Sequence, residues 1–170
     1  SRWLRGYARI VRAMPDTPSL VGAGIAGLWA SPAVDAAGRA SAIAVLEACG
    51  GVVPVEREEA LDAVTGISAS GVAYVFYFIE ALEAAARSHG FDAADARKLA
   101  YATFDGAVKL ALSSSEDPAT LRARVTSKGG TTERAINAFE NCQLRATIIA
   151  AAAAAAARSK ELGEEFGSHH

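Results

Sequence analysis

A mainly helical fold preceded by a few short β-strands is predicted for this chain, on three observations. Hydrophobic residues make up 51% of the 170 residues against 21% charged, and alanine is abundant, the balance of a globular, helix-favouring chain. From Glu58 onward, helix starts and glycine breaks alternate at helical intervals. Finally, Tyr74-Val75-Phe76-Tyr77-Phe78-Ile79 is apolar on every face of the helix it would form. The length corresponds to about one domain, at roughly 100–150 residues per domain.

In chain order, Ser1 to Tyr7 reads as a helix end closed by Gly6, and Arg9 to Ala13 as a short strand. Met14-Pro15-Asp16-Thr17-Pro18 stops that strand, because two prolines forbid a continuing ladder. The chain opens without Met, and its first residues read as the tail of something larger. A glycine-rich extended run follows from Val21 to Trp29. Ala36, Ala40, Ile43, Ala44 and Leu46 then predict a helix over 35–49 closed by Gly50-Gly51, with 52–55 as an extended link. Further helices are predicted over 61–68 and 72–88, the second ending before Gly90. Asp92 with Asp95 starts one that runs to about Ser113, and Asp117-Pro118 starts a short one. After a break at Gly129-Gly130 come helices over 131–141 and from Leu144 to about Gly163. A helix apolar all round needs more cover than a small domain offers, which points to an obligate, interlocked homodimer.

A formal charge of −2 gives no footprint for a polyanion, so neither nucleic acid nor an anionic membrane surface is an expected partner. The apolar run from Ile148 to Ala157 is shorter than the ~20 residues a spanning helix needs, and no membrane span or targeting segment is read. Cys49 and Cys142 are expected to be buried, reduced thiols, in keeping with a cytoplasmic protein. No metal quartet can be assembled. Gly167-Ser168-His169-His170 reads as the start of a tag, leaving His89 as a charge-complementing residue at a helix end.

Gly22-Ala23-Gly24-Ile25-Ala26-Gly27 matches the dinucleotide fingerprint G-x-G-x-x-G, with Glu47 twenty residues on. Pro18 leaves three residues for the strand that must precede it, and Pro32 comes too soon for the helix that must follow, so it reads as an extended glycine-rich segment. Gly66-Ile67-Ser68-Ala69-Ser70 lacks the closing glycine of a nucleophile elbow, and no histidine stands ready as base. Val125-Thr126-Ser127-Lys128-Gly129-Gly130-Thr131-Thr132 is more informative. Free amides at a helix start, beside glycines and hydroxyls, suit a small carboxylate or phosphate. The alternative is a glycine turn with a threonine N-cap.

From Pro118 to Leu121, through 125–132, to Ala135-Ile136 and Phe139-Glu140, the sequence resembles the signature of the pyrroline-5-carboxylate reductases. Three further stretches agree in order: 11–18, 61–68, and Ser70-Gly71 with Ala73 to Phe76. The resemblance covers nearly the whole chain. It implies a helical dimerisation and substrate-binding domain at 34–163, like the C-terminal domain of 6-phosphogluconate dehydrogenase. Residues 1–33 would be the last strands of a truncated Rossmann domain, and 164–170 tail and tag. It also implies Ser127, Gly129, Gly130, Thr131 and Thr132 as the substrate-carboxylate set, with the Thr132 hydroxyl as catalytic proton donor or orienter at the imine nitrogen. Met14, Pro15, Asp16, Ser70 and Gly71 would border the cofactor, NADP or NAD, whose main site belongs to the missing N-terminal domain. No metal is implied.

The activity implied for the intact enzyme is reduction of 1-pyrroline-5-carboxylate to L-proline, the last step of proline biosynthesis, by a homodimer or a larger assembly of dimers. This chain alone is expected to be inactive. Asp16 stands where the family usually has Asn, Ala69 where it has Gly, and Val72 where it has Pro. The rival reading is a non-catalytic oligomerisation module that keeps the family's dimer core.

Overall fold

A computed structural model describes residues 4–168; the expectations for Ser1 to Trp3, His169 and His170 lie outside the described residues. The strands are β1 (Val11–Pro15), β2 (Gly24–Ala30) and β3 (Gly50–Pro54). The helices are α1 (Ala36–Glu47), α2 (Ala60–Val64), α3 (Gly71–Ser88), α4 (Ala93–Leu112), α5 (Pro118–Arg124), α6 (Thr131–Asn141) and α7 (Leu144–Ser168). The protein is therefore mostly helical, as expected. The chain forms two compact units, Ser1–Ala73 with Ile149–His170, and Tyr74–Ile148.

In the first unit β2 is the central strand, antiparallel to β1 and parallel to β3, with α1 as the crossover. Its Ala26, Leu28 and Ala30 are buried, together with Leu61 of α2. Gly27 lets α2 lie directly on the strand, since a Cβ there would stand 2.8 Å from a Val64 methyl. Asp16 fixes the entry to β2, its carboxylate accepting the Ile25 amide at 2.9 Å. The first strand lies two residues later than expected because Pro15 is tolerated at the end of an edge strand, while Thr17–Val21 turns as a short 3-10 helix. The expected link at 52–55 is mostly strand β3. Gly50, at φ 148°, opens that strand instead of closing α1.

The C-terminal part of α7 belongs to the same unit and approaches at backbone distance. A Cβ on Gly66 would stand 2.5 Å from the Ala152 carbonyl oxygen and 3.0 Å from the Ala156 nitrogen. The alanine run makes this possible, and the Ser159 hydroxyl donates to Asp62 at 2.7 Å beside it. Gly163 does not stop α7, which continues to Ser168. Ion pairs of Arg158 with Glu161 at 2.9 Å and Glu165 at 2.8 Å brace the additional turns.

Two helices expected to be separate are joined. A π-turn at Thr65–Ala69, closed by the Ser70 amide on the Thr65 carbonyl at 2.8 Å, links α2 to α3. The resulting helix, Ala60–Ser88, has 29 residues and is long and apolar enough to cross a membrane by length and composition, a test that core helices of soluble proteins also pass.

The second unit follows its caps. The Asp92 carboxylate accepts the Asp95 amide at 2.8 Å, and Asp117 accepts those of Ala119 and Thr120 at 2.9 and 3.0 Å. The Thr120 amide, then its hydroxyl, hold the Asp117 carboxyl below its ordinary pKa. Helix α3 ends in a Schellman turn at Gly90, φ 93°, with Gly90 bonded to Arg87 and Phe91 to Ala86; His89 sits within it, as expected. Among the residues of this unit only Ala96 and Ala100 are buried, whereas Phe76 is 58% and Tyr77 72% exposed. Both cysteines are exposed, which corrects their expected burial: Cys49 follows the end of α1 and Cys142 caps α6. Neither lies on an apolar stripe.

Gly66→Ala is expected to cost about 1–3 kcal/mol, the usual cost of overpacking, read as a lowered midpoint in chemical denaturation. An unchanged midpoint would mean that α7 does not press on Gly66. Asp16→Ala should cost about 1 kcal/mol through the lost acceptor for Ile25, while Asp16→Asn, which keeps an acceptor oxygen, should stay within about 0.5 kcal/mol.

Candidate functional site

The turn before α6 lies in the unit Tyr74–Ile148. Helix α5 closes with the Thr126 amide on the Ala123 carbonyl at 3.1 Å and its hydroxyl on that of Arg122 at 2.7 Å. The Gly130 amide then returns to the Ser127 carbonyl at 3.0 Å, across Gly129 at φ 75°, a conformation that favours glycine. A Cβ on Gly130 would stand 2.5 Å from the Ser127 hydroxyl, so that hydroxyl is laid against the glycine.

The N-cap of α6 is Gly130, with no side-chain cap. The threonine N-cap offered as the alternative is thereby overturned, since Thr131 and Thr132 are the first two helical residues. Their amides belong to the first turn, which has no intrahelical acceptors. Thr132 is half-buried, and no hydrogen bond of its hydroxyl is found among the described residues. Ser127, Gly129, Gly130, Thr131 and Thr132 are thus brought together on one turn. Sequence reasoning missed Glu133, whose carboxylate accepts the Gly129 amide at 2.8 Å. An acid three residues past the N-cap was the available signal. Gly129, Gly130, Glu133, Arg134, Asn137 and Asn141 border a groove of about 470 Å³.

The cofactor set falls in the other unit. Met14 at the end of β1 and Ser70 after the π-turn line a groove of about 420 Å³ with Thr65, Arg158 and Ser159. Pro15, Asp16 and Gly71 are not among its lining. Asp16 is half-buried and engaged by Ile25 and, at 3.4 Å, by the Ser19 hydroxyl, so its charge is held inside the turn. Thr65, Arg158 and Ser159 were missed because nothing local in the sequence places α7 beside the π-turn. The hydrogen bonds that the Arg158 guanidinium donates to Glu165, then to Glu161, raise its pKa.

The groove is mostly apolar, and beside it the Thr65 hydroxyl donates to the Leu61 carbonyl at 2.9 Å. A cradle for the pyrophosphate is not found among the described residues. Gly24 and Gly27 of the G-x-G-x-x-G match lie inside β2, where a Cβ on Gly24 would meet Ser19 and one on Gly27 would meet Val64. Their function there is close packing. No group of three or more His, Cys, Asp or Glu side chains able to hold a metal is found among the described residues.

Known proteins resemble the chain as a whole. The family profile "Pyrroline-5-carboxylate reductase dimerisation" matches residues 58–162. A pyrroline-5-carboxylate reductase of Pseudomonas aeruginosa is 41% identical over 97% of this chain and 60% of its own length. One from Synechocystis sp. is 44% identical over 92% of this chain and 58% of its own length. Among solved structures, a pyrroline-5-carboxylate reductase from Coxiella burnetii superposes with a TM-score of 0.90 at 42% identity, covering 95% of this chain and 60% of that one. A Plasmodium falciparum pyrroline carboxylate reductase with NADP bound gives 0.84 at 30% identity, covering 91% and 59%. The chain spans about 60% of the length of these relatives. A dimerisation profile over more than half of its residues, with relatives above 40% identity over nine-tenths of it, places the chain in the pyrroline-5-carboxylate reductase family.

Proposed function

We propose that this chain is the substrate-binding and dimerisation part of an enzyme that reduces 1-pyrroline-5-carboxylate to L-proline with NADPH or NADH. The observation that carries this reading is the uncapped start of α6 behind Ser127, with the Thr132 hydroxyl free to meet a ligand. The substrate carboxylate is held by the first-turn amides of Thr131 and Thr132, by the Gly129 amide and by the Ser127 hydroxyl, with Gly130, its own amide closed on the Ser127 carbonyl, shaping the turn. The Thr132 hydroxyl orients the ring nitrogen or passes it a proton that solvent water returns to the hydroxyl. Reduced nicotinamide, when bound, supplies the hydride to the imine carbon. Met14 and Ser70 border its ring end together with Thr65, while Pro15, Asp16 and Gly71 flank them in the chain.

In the intact protein the strands within 1–33 end a Rossmann domain. Residues 34–163 belong to a helical domain of the 6-phosphogluconate dehydrogenase C-terminal type, whose last helix, α7, runs on past the expected tail boundary to Ser168. The sheet continues past residue 33 through α1 and β3. A second copy of the chain covers the exposed apolar helices, in a cytoplasmic homodimer or an assembly of dimers, with no nucleic acid or membrane as partner. A non-catalytic oligomerisation module is the second reading, favoured by the absence of a pyrophosphate cradle among the described residues.

Thr132→Ala removes one hydrogen bond to a ligand, about 1.5–3 kcal/mol where a charged group is involved, so affinity for L-proline should fall roughly 10- to 150-fold. The melting temperature should hold, because Thr132 is not the cap. Calorimetry with thermal melts checks both, and unchanged affinity would refute the substrate assignment. In sedimentation the folded chain should remain dimeric on dilution. A folded monomer at nanomolar concentration would refute the interlocked dimer.

A further inference from the structure

Glu133 is the one carboxylate on the proposed substrate turn, and it occupies that turn from within. Its Oε2 accepts the Gly129 amide at 2.8 Å, while Gly130 caps α6 with no side chain of its own. The side chain is half-buried and borders the same groove as Gly129, Gly130 and Arg134. An amide N–H has one hydrogen to give, so a ligand carboxylate that takes the Gly129 amide must displace this one.

We propose that Glu133 is a specificity-determining residue of this site, a resident anion that a ligand carboxylate must displace. The inference rests on reading Ser127–Thr132 as the carboxylate site. Two consequences follow from the charge. Displaced from Gly129, the Glu133 side chain remains on the first turn of α6, so a bound carboxylate has a like charge beside it. Small inorganic anions with no ring to bury gain too little to offset that repulsion, and the turn stays closed to them. A ring carboxylate gains apolar contact and the Thr132 hydroxyl in addition, and it displaces Glu133. The resident carboxylate thus discriminates among anions at a turn whose backbone amides would accept any of them.

The test is a titration of the full chain with cyclopentanecarboxylate, a five-membered ring whose only charge is its carboxylate, followed by NMR at the Gly129 and Gly130 amides. Glu133→Gln keeps an acceptor for Gly129 and removes the charge. It should bind the carboxylate about 3- to 10-fold more tightly, the size expected of a like-charge pair about 5 Å apart at a solvent-facing site. Cyclopentanecarboxamide should show no such gain. Inorganic phosphate should shift the two amides in Glu133→Gln and not in the wild type. Equal or weaker carboxylate binding by Glu133→Gln, with L-proline binding still weakened by Thr132→Ala, would overturn the role of Glu133 and leave the substrate site standing. If the carboxylate leaves both amides unshifted in the wild type and in Glu133→Gln, the substrate reading fails, and this inference with it.

Discussion

A helix that is apolar around its whole circumference has to be covered from every side, and most of the molecule's organisation answers to that constraint. The unit Tyr74–Ile148 encloses two alanines, Ala96 and Ala100, as its buried residues. Phe76 and Tyr77 on α3 and Leu110 and Leu112 on α4 are left more than half exposed. Burial is worth roughly 25 cal/mol per Å² of apolar surface, so a fold this open lacks most of the stabilisation a domain of its size needs. A dimerisation profile over 58–162 is the natural counterpart of that deficit. In this unit, local capping fixes where the helices begin, and the residues it buries are too few to fix how they pack.

The sheet-bearing unit is stabilised in another way. It has its own core on β2 and draws further elements in by removing side chains. Gly27 admits Val64, and Gly66 admits the backbone of α7 at Ala152 and Ala156. Both approaches are close enough that a single added carbon must displace a neighbour. The alanine run of α7 is therefore a packing surface, consistent with small side chains letting helix axes approach. Ser159 on Asp62 secures the same crossing by a polar contact. The π-turn lies on this crossing, which is why Ser70 and Thr65 border a groove with residues of α7.

What the sequence made legible was local. Asp92, Asp117 and Gly90 announced their helix ends because a cap depends on a few neighbouring residues. The glycine turn before α6 is legible for the same reason, its glycines and hydroxyls being contiguous. Strand β3 reads as a link in the sequence because its partner β2 lies across α1 and its five residues include two glycines and a proline. Thr65, Arg158 and Ser159 were invisible because their grouping depends on the fit of α7 against Gly66. The cysteines were misplaced because a general preference for burial was applied to residues at helix ends. Gly163 was given the force of a helix stop, which the ion pairs on either side of it outweigh.

The three departures from the family's usual residues can be weighed in the same physical terms. Asp16 would bring negative charge toward a cofactor, but its carboxylate accepts from Ile25 and Ser19, a task an amide oxygen performs equally well. Ala69 lies in the π-turn with a negative φ, so the conformational freedom of glycine is not called on. Val72 stands where proline would preset a helix start. Here α3 continues from the π-turn with the Ala73 amide on the Ser70 carbonyl, so no free start exists to be preset. None of the three distorts the backbone that carries Ser70, and they do not argue for lost function. The weight of the non-catalytic reading then rests on the pyrophosphate cradle alone, and the relatives are longer than this chain by the length in which such a cradle can lie.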